Sequence, residues 1–286
     1  MSKDARHAFC NNVALPDPME KAHRMADPRV PLFFAAILAL AGCASEPMPL
    51  ASPFREPREA SPSECRARAD SNRPQFIVGY GSLMEDESRK RTAPRAGPAH
   101  PVDLAGFERG WFERGSATGF STTYLGVRPD SRARLNAVVY AVEPEEIGAT
   151  DARESSYCRS AVLPASIAVL DPGFALPDNA QLWIYVTDPR RVAPPDARYP
   201  IVQSYVDVFL SGCLEQEERF HVSDFARRCI ETTTGWSEHW VNDRIYPRRP
   251  FVHQPRAGAI DRLLSSTVPG EFDSIRLEAG ATAAPR

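Results

Sequence analysis

The chain has 286 residues, with 34 Lys and Arg against 37 Asp and Glu and a formal net charge of −3. Setting aside the first 42 residues, with five basic and four acidic side chains, leaves 29 against 33, a net of −4. With no extended basic patch, that balance excludes a nucleic-acid partner. The six His are scattered and no Cys pair has zinc-site spacing, so no metal site is expected and no cofactor is called for.

Near the start, residues 30–42 form an uncharged apolar run, preceded by Arg24 and Arg29 and followed by Cys43. Such a run is too short to span a bilayer but suits the apolar region of a secretory signal. Leu40-Ala41-Gly42-Cys43 resembles the bacterial lipobox, which implies that Cys43 is lipidated and becomes the new N-terminus. The residues before Met25 bring acidic charge and Pro, which suit a signal poorly, so the true start is expected at Met25 or Met19. The leader, 1–42, is set apart from the fold. Residues 43–74, rich in Pro and charge, read as a flexible tether to a membrane of the bacterial envelope, facing the periplasm or exterior.

From Gln75 the pattern changes. Phe76-Ile77-Val78-Gly79-Tyr80-Gly81-Ser82-Leu83-Met84 reads as a buried strand, a tight glycine turn and the start of a helix. Glycines there let a ligand approach the main chain, and successive N–H groups can cradle a carboxylate or an oxyanion. Met84, not Gly, stands two beyond Ser82, so the turn fails the Gly-x-Ser-x-Gly nucleophile elbow and a serine hydrolase is disfavoured. Further strands are expected at 102–107, 122–127, 135–142, 161–170 and 181–187, with short helices near 84–91 and 144–154. That alternation predicts an α+β fold: a small mixed β-sheet or partly closed β-barrel flanked by helices. Residues 115–119 read as a mobile glycine loop.

Beyond 199, Ile201, Tyr205, Val208 and Phe209, then Val222, Phe225 and Cys229, recur at helical spacing around a polar break at 215–219. This predicts a C-terminal helical hairpin extension over 199–254. A basic, aromatic-flanked loop follows at 242–250, read as a surface cover, and 255–286 read as a disordered tail. The globular domain is thus expected at 75–254, with a core at 75–189.

The strand at 137–142 leads into Glu143-Pro144-Glu145-Glu146-Ile147, then Asp151-Ala152-Arg153-Glu154-Ser155-Ser156-Tyr157. A Tyr-Gly-Ser-Leu turn after the first strand, followed later by strand, helix and Asp-x-x-Glu before a Tyr, resembles the gamma-glutamylcyclotransferase family over 75–189. The resemblance implies a substrate-lining loop at Tyr80, Gly81, Ser82 and Leu83, a catalytic carboxylate at Glu154, and a small gamma-glutamyl substrate. Residues 199–205 and 212–215 resemble a helix of its glutathione-specific branch. Thr150 departs from the family's Leu, so a shift of this helix is expected. Arg153 reads as a solvated charge and Tyr157 as a core-facing ring. The alternative is a non-catalytic envelope lipoprotein that keeps the fold for binding or scaffolding.

Leaving out Cys10 and Cys43, four cysteines remain: Cys65, Cys158, Cys213 and Cys229. On the oxidising side of a membrane they allow three connectivities. If the two helices reverse near 219–222, Cys213 and Cys229 lie at matching heights, which predicts that pair, with Cys65–Cys158 by subtraction.

Overall fold

The computed structural model describes residues 65–115, 122–248 and 256–277. The leader, the lipobox with Cys43, most of the 115–119 loop and the end of the 242–250 loop lie outside them.

The first strand, β1 (Gln75–Gly79), is buried along its whole length, which its unbroken apolar run demands. A short 3₁₀ turn at Ser82–Met84 leads into α1 (Asp86–Lys90). Two long strands follow, β2 (His100–Arg114) and β3 (Thr123–Val142). The strands expected at 122–127 and 135–142 are joined into one, because the polar stretch between them bulges from the ladder and does not reverse the chain. Phe107 faces Pro129 while Ala105 faces Arg134, which leaves 130–133 unpaired with β2.

After β3 come α2 (Pro144–Arg153), β4 (Tyr157–Val162), β5 (Ile167–Val169) and β6 (Gln181–Thr187). The expected strand at 161–170 is split into β4 and β5 by a 3₁₀ turn at Pro164–Ser166. The main sheet has the order β4-β6-β1-β3-β2-β5. It is mixed: β1 pairs parallel with β6 and antiparallel with β3. Its edges β4 and β5 do not pair, so the sheet is open and the partly closed barrel gives way to the mixed-sheet form of the α+β expectation.

The C-terminal half begins with β7 (Ile201–Val202) and α3 (Gln203–Phe220), then α4 (Phe225–Glu231), β8 (Thr233–Thr234) and β9 (Trp240–Asn242). The hairpin reverses from 221, within reach of the expected 219–222, but the polar break expected at 215–219 is absent from the helix. Residues 215–219 lie inside α3, most of their charges on its wetter face, and the turn is made where His221 and Asp224 take left-handed angles (φ 54° and 59°). Cys213 and Cys229 are joined across the two helices with Cα atoms 6.6 Å apart, and Cys65 is joined to Cys158.

Two corrections concern the ends of the domain. The expected tail carries α5 (Ala257–Thr267), α6 (Pro269–Asp273) and β10 (Arg276–Leu277). Ile260 and Leu264, one turn apart, are buried in the core, and Arg244 holds α5 to α3 by pairing with both Asp261 and Asp207. High Ala and Gly content hid an amphipathic helix. At the other end, the expected tether is docked from Cys65 on: Arg73 donates to the carbonyls of Asn179 and Ala180, and Gln75 closes onto Gln181.

Candidate active site

The site forms where the chain leaves β1. Tyr80 is buried, and its hydroxyl donates to the carbonyl of Tyr185 on β6 (2.5 Å). The Tyr80 carbonyl accepts from Arg109 on β2 (3.2 Å). Met84 N–H closes the 3₁₀ turn onto the Gly81 carbonyl (3.0 Å), whereas the leading N–H groups of such a turn have no partner within it. Buried Arg89 donates to the carbonyls of Leu83 and Met84. Glu85 caps α1 through Glu87 N–H and Ser88 N–H. Side chains thus hold the turn from behind. Leu83 itself is a core residue.

Opposite the turn stands the end of α2. Pro144 opens this helix, where its missing N–H costs nothing. The Thr150 hydroxyl is satisfied inside the helix by Glu146 O (3.1 Å), so the departure at 150 leaves no polar group stranded. Asp151 accepts from Arg159 on β4 (2.9 Å) and from the Tyr185 hydroxyl on β6 (2.8 Å), which fixes the helix end to the sheet. Glu154 is the C-cap. Its N–H bonds to Thr150 O and its carbonyl accepts from Tyr157 N–H, so the chain turns sharply into β4.

Arg153 joins the two motifs. Its Nε lies 3.1 Å from Glu154 Oε1, and its Nη2 donates to Ser82 Oγ (3.1 Å) and Ser88 Oγ (2.8 Å). Nη1 donates to Ser88 O. The Arg153 and Glu154 side chains are only 19% and 15% exposed. The expected solvated charge is therefore a part-buried bridge between Ser82 and Glu154.

Phenols enclose the carboxylate. Burial, and then the charge of Glu154, raise Tyr80 well above the ordinary tyrosine pKa. Tyr157, half-buried with its hydroxyl donating to Leu125 O (2.8 Å), is raised by burial and by its neighbours Tyr80, Tyr205, Glu113 and Glu154. Tyr140 is raised by burial against the pull of Arg89 and Arg153. At neutral pH all three are uncharged. Tyr205 on α3 stands over Gly81, its ring edge-on to Trp111 and Tyr124.

Two further charges here are not visible in the motifs. Arg109, fully buried, donates to Tyr80 O, Asn136 O, Cys229 O and the hydroxyls of Thr232 and Thr233. Burial lowers its pKa to about 9, so it stays protonated at neutral pH. Glu113 on β2 is buried, accepts from Arg191 Nε (3.0 Å) and lies near enough to Tyr80 and Tyr157 to raise both. Burial pushes its own pKa up, against the opposing pull of Arg191. The only sequence signal for either is a charge on the inward phase of an alternating strand.

Tyr80, Gly81, Ser82 and Glu154 are thus gathered in one place. The Cys213–Cys229 disulfide stands behind the turn, with Cys213 Sγ 4.0 Å from Met84 Sδ. A half-buried carboxylate beside backbone donors and neutral phenols is equipped to move one proton next to a polarised carbonyl.

No family model and no curated protein matches the chain. Among solved structures, an uncharacterized human protein has 13% identity over 54% of this chain and 85% of its own, with a TM-score of 0.41. A gamma-glutamyl cyclotransferase has 11% identity over 55% of this chain and 86% of its own, TM-score 0.42. A yeast gamma-glutamyl cyclotransferase specific to glutathione has 12% identity over 56% and 97%, TM-score 0.33. Overlaps this distant say nothing of chemistry.

Proposed function

We propose that the chain is a cyclotransferase that releases 5-oxoproline from a gamma-glutamyl amine, dipeptide or glutathione. The observation that carries this reading is the Arg153 bridge, which brings the Ser82 turn and the Glu154 carboxylate to one site.

In such a substrate the free α-amine attacks its own γ-carbonyl. A C–N bond forms to close the five-membered ring, and the bond to the attached amine breaks. The nucleophile is supplied by the substrate, so the site has only to fold it; orientation of this kind is worth on the order of 7–11 kcal/mol. Glu154 relays the two protons that the attacking nitrogen sheds, one from the ammonium before attack and one as the ring amide forms, to the leaving nitrogen, which departs as an ammonium, a contribution of roughly 10²–10⁴-fold. Tyr80 and Tyr157 already donate their hydroxyl protons to Tyr185 O and Leu125 O. The oxyanion of the tetrahedral intermediate therefore falls to N–H groups of the 81–83 turn, at about 2.7–4 kcal/mol per donor.

Cyclisation needs a free glutamyl amine. Intact peptidoglycan stems, in which that amine is acylated, are excluded as substrates, while fragments with a free amine are not. N-acetylation of a good substrate is expected to abolish 5-oxoproline release. Cleavage of the acetylated compound at a similar rate, yielding N-acetylglutamate, identifies a hydrolase and overturns the reading.

The same reading places the enzyme in the cell envelope, anchored through lipidated Cys43; the two disulfides fit an oxidising compartment. Detergent phase partitioning checks it. Wild-type protein is expected in the detergent phase and Cys43→Ala is expected to accumulate as an unlipidated, unprocessed precursor, and a wholly aqueous wild type contradicts the anchor.

A further inference from the structure

The chain enters the domain beside the turn that carries Glu154. Cys65 is disulfide-bonded to Cys158, four residues past Glu154 on β4, with Cα atoms 5.1 Å apart. The next residue, Arg66, donates its backbone N–H to Arg159 O (2.8 Å). Its Nη2 lies within reach of three carbonyl oxygens: Asp151 (3.2 Å), Ser155 (3.3 Å) and Glu154 itself (3.4 Å). These belong to the last turn of α2 and the bend after it, where carbonyls run out of partners within the helix and the helix dipole is negative, Glu154 O also accepting from Tyr157 N–H. A guanidinium suits both conditions at once.

Arg66 holds an uncommon backbone conformation to do this. Its φ is 58°, in the left-handed region that non-glycine residues seldom occupy. Such angles persist where the surroundings over-determine them, and they gather at functional sites. The disulfide on one side and the bond to Arg159 on the other supply that constraint.

We propose that Arg66 is a positioning residue for Glu154: a guanidinium clamp, seated by the Cys65–Cys158 disulfide, that fixes the bend from which the carboxylate projects. The effect on rate rests on the cyclotransferase reading; the effect on the bend does not. Arg66 is exposed, and among the described residues its side chain bonds only to backbone carbonyls, so its loss leaves the core intact. A shift of about 1 Å in a catalytic group costs up to about 10²-fold, so a loosened bend reduces kcat and leaves substrate binding by the 80–83 turn nearly unchanged.

The test compares Arg66→Met, Arg66→Lys and Cys65→Ser/Cys158→Ser with wild type by hydrogen exchange and by steady-state kinetics. Arg66→Met and the double serine variant are expected to exchange the 151–157 amides several-fold faster, with α3 unchanged, and to lose about 10-fold or more in kcat at a KM within about twofold. Lys, which keeps the charge but cannot span three carbonyls, is expected to recover part of both losses. Wild-type exchange at 151–157 in Arg66→Met overturns the clamp, as does a rise in KM with kcat intact. Should wild type act on no gamma-glutamyl compound, the functional reading fails, and the exchange result alone decides the clamp.

Discussion

At Gly81 the main chain passes directly beneath a phenol: a Cβ there would lie 2.9 Å from Tyr205 Oη. The Tyr205 ring is itself held edge-on by Trp111 and Tyr124, so it has little room to give. Gly81→Ala is expected to cost about 1–3 kcal/mol of stability as an overpacked site. It should lower kcat/KM by about tenfold or more by moving the turn. An alanine variant with wild-type thermal midpoint and turnover contradicts this account of the turn. At this scale the sequence was legible where a motif is local: Tyr80 to Leu83 stand together, and Glu154 sits at a recognisable offset from Tyr157. Arg153 was not legible, because an arginine beside a helix-end glutamate reads as solvated until the partner from Ser82 is known. Nor were Glu113 and Arg109, whose compensating groups, Arg191 for one and Thr233 and Cys229 for the other, are brought in by the fold from far along the chain.

Among the elements, α3 does most to support the turn and also carries a titration. Gly212 lets the helix approach so closely that a Cβ there would meet Glu85 N at 2.5 Å. One residue beyond Cys213 and Leu214, Glu215 accepts from Asp86 N–H (3.2 Å). Burial, opposed by that hydrogen bond and reinforced by the charge of Glu85, raises its pKa to about 7. An unfolded glutamate titrates near ~4.3, so between these values the folded chain binds more protons than the unfolded one. This part of the stability is present at low pH and is lost as pH rises from about 4.3 to about 7. After allowance for solvent screening, the loss is about 1–2 kcal/mol. Glu215→Gln keeps the acceptor without the charge. Denaturant unfolding is expected to find it about 1–2 kcal/mol more stable than wild type at pH 8 and little different near pH 4.5. Parallel pH profiles for the two proteins contradict the assignment. The strand β6 was legible to the residue, since an apolar run with flanking turn residues defines it. The joined β3, the unbroken run of α3 through 215–219 and the helices after 256 were not, because a bulge resembles a turn, a charged helical face resembles a break, and alanine with glycine resembles disorder.

For the molecule as a whole, the sheet serves as a frame that brings separate stretches of chain to one place. β1 delivers the turn, β6 supplies the Tyr185 carbonyl and hydroxyl, and α2 with β4 sets Glu154 opposite. Arg109 then ties the turn to α4, and the Cys213–Cys229 bridge closes α3 and α4 behind it. The α+β class was readable from strand and helix spacing, but whether the sheet closes depends on which edges meet, and no local pattern encodes that. The central claim is that Glu154 moves the proton in an intramolecular cyclisation. The most direct measurement is 5-oxoproline formation from a panel of gamma-glutamyl compounds by wild type and Glu154→Gln, purified alike and shown by circular dichroism to share one fold. Wild type is expected to release 5-oxoproline from at least one compound, and the glutamine variant to retain no more than about 1% of that rate, in keeping with the ~10²–10⁴-fold worth of general acid–base catalysis. Equal turnover by the two proteins would contradict it.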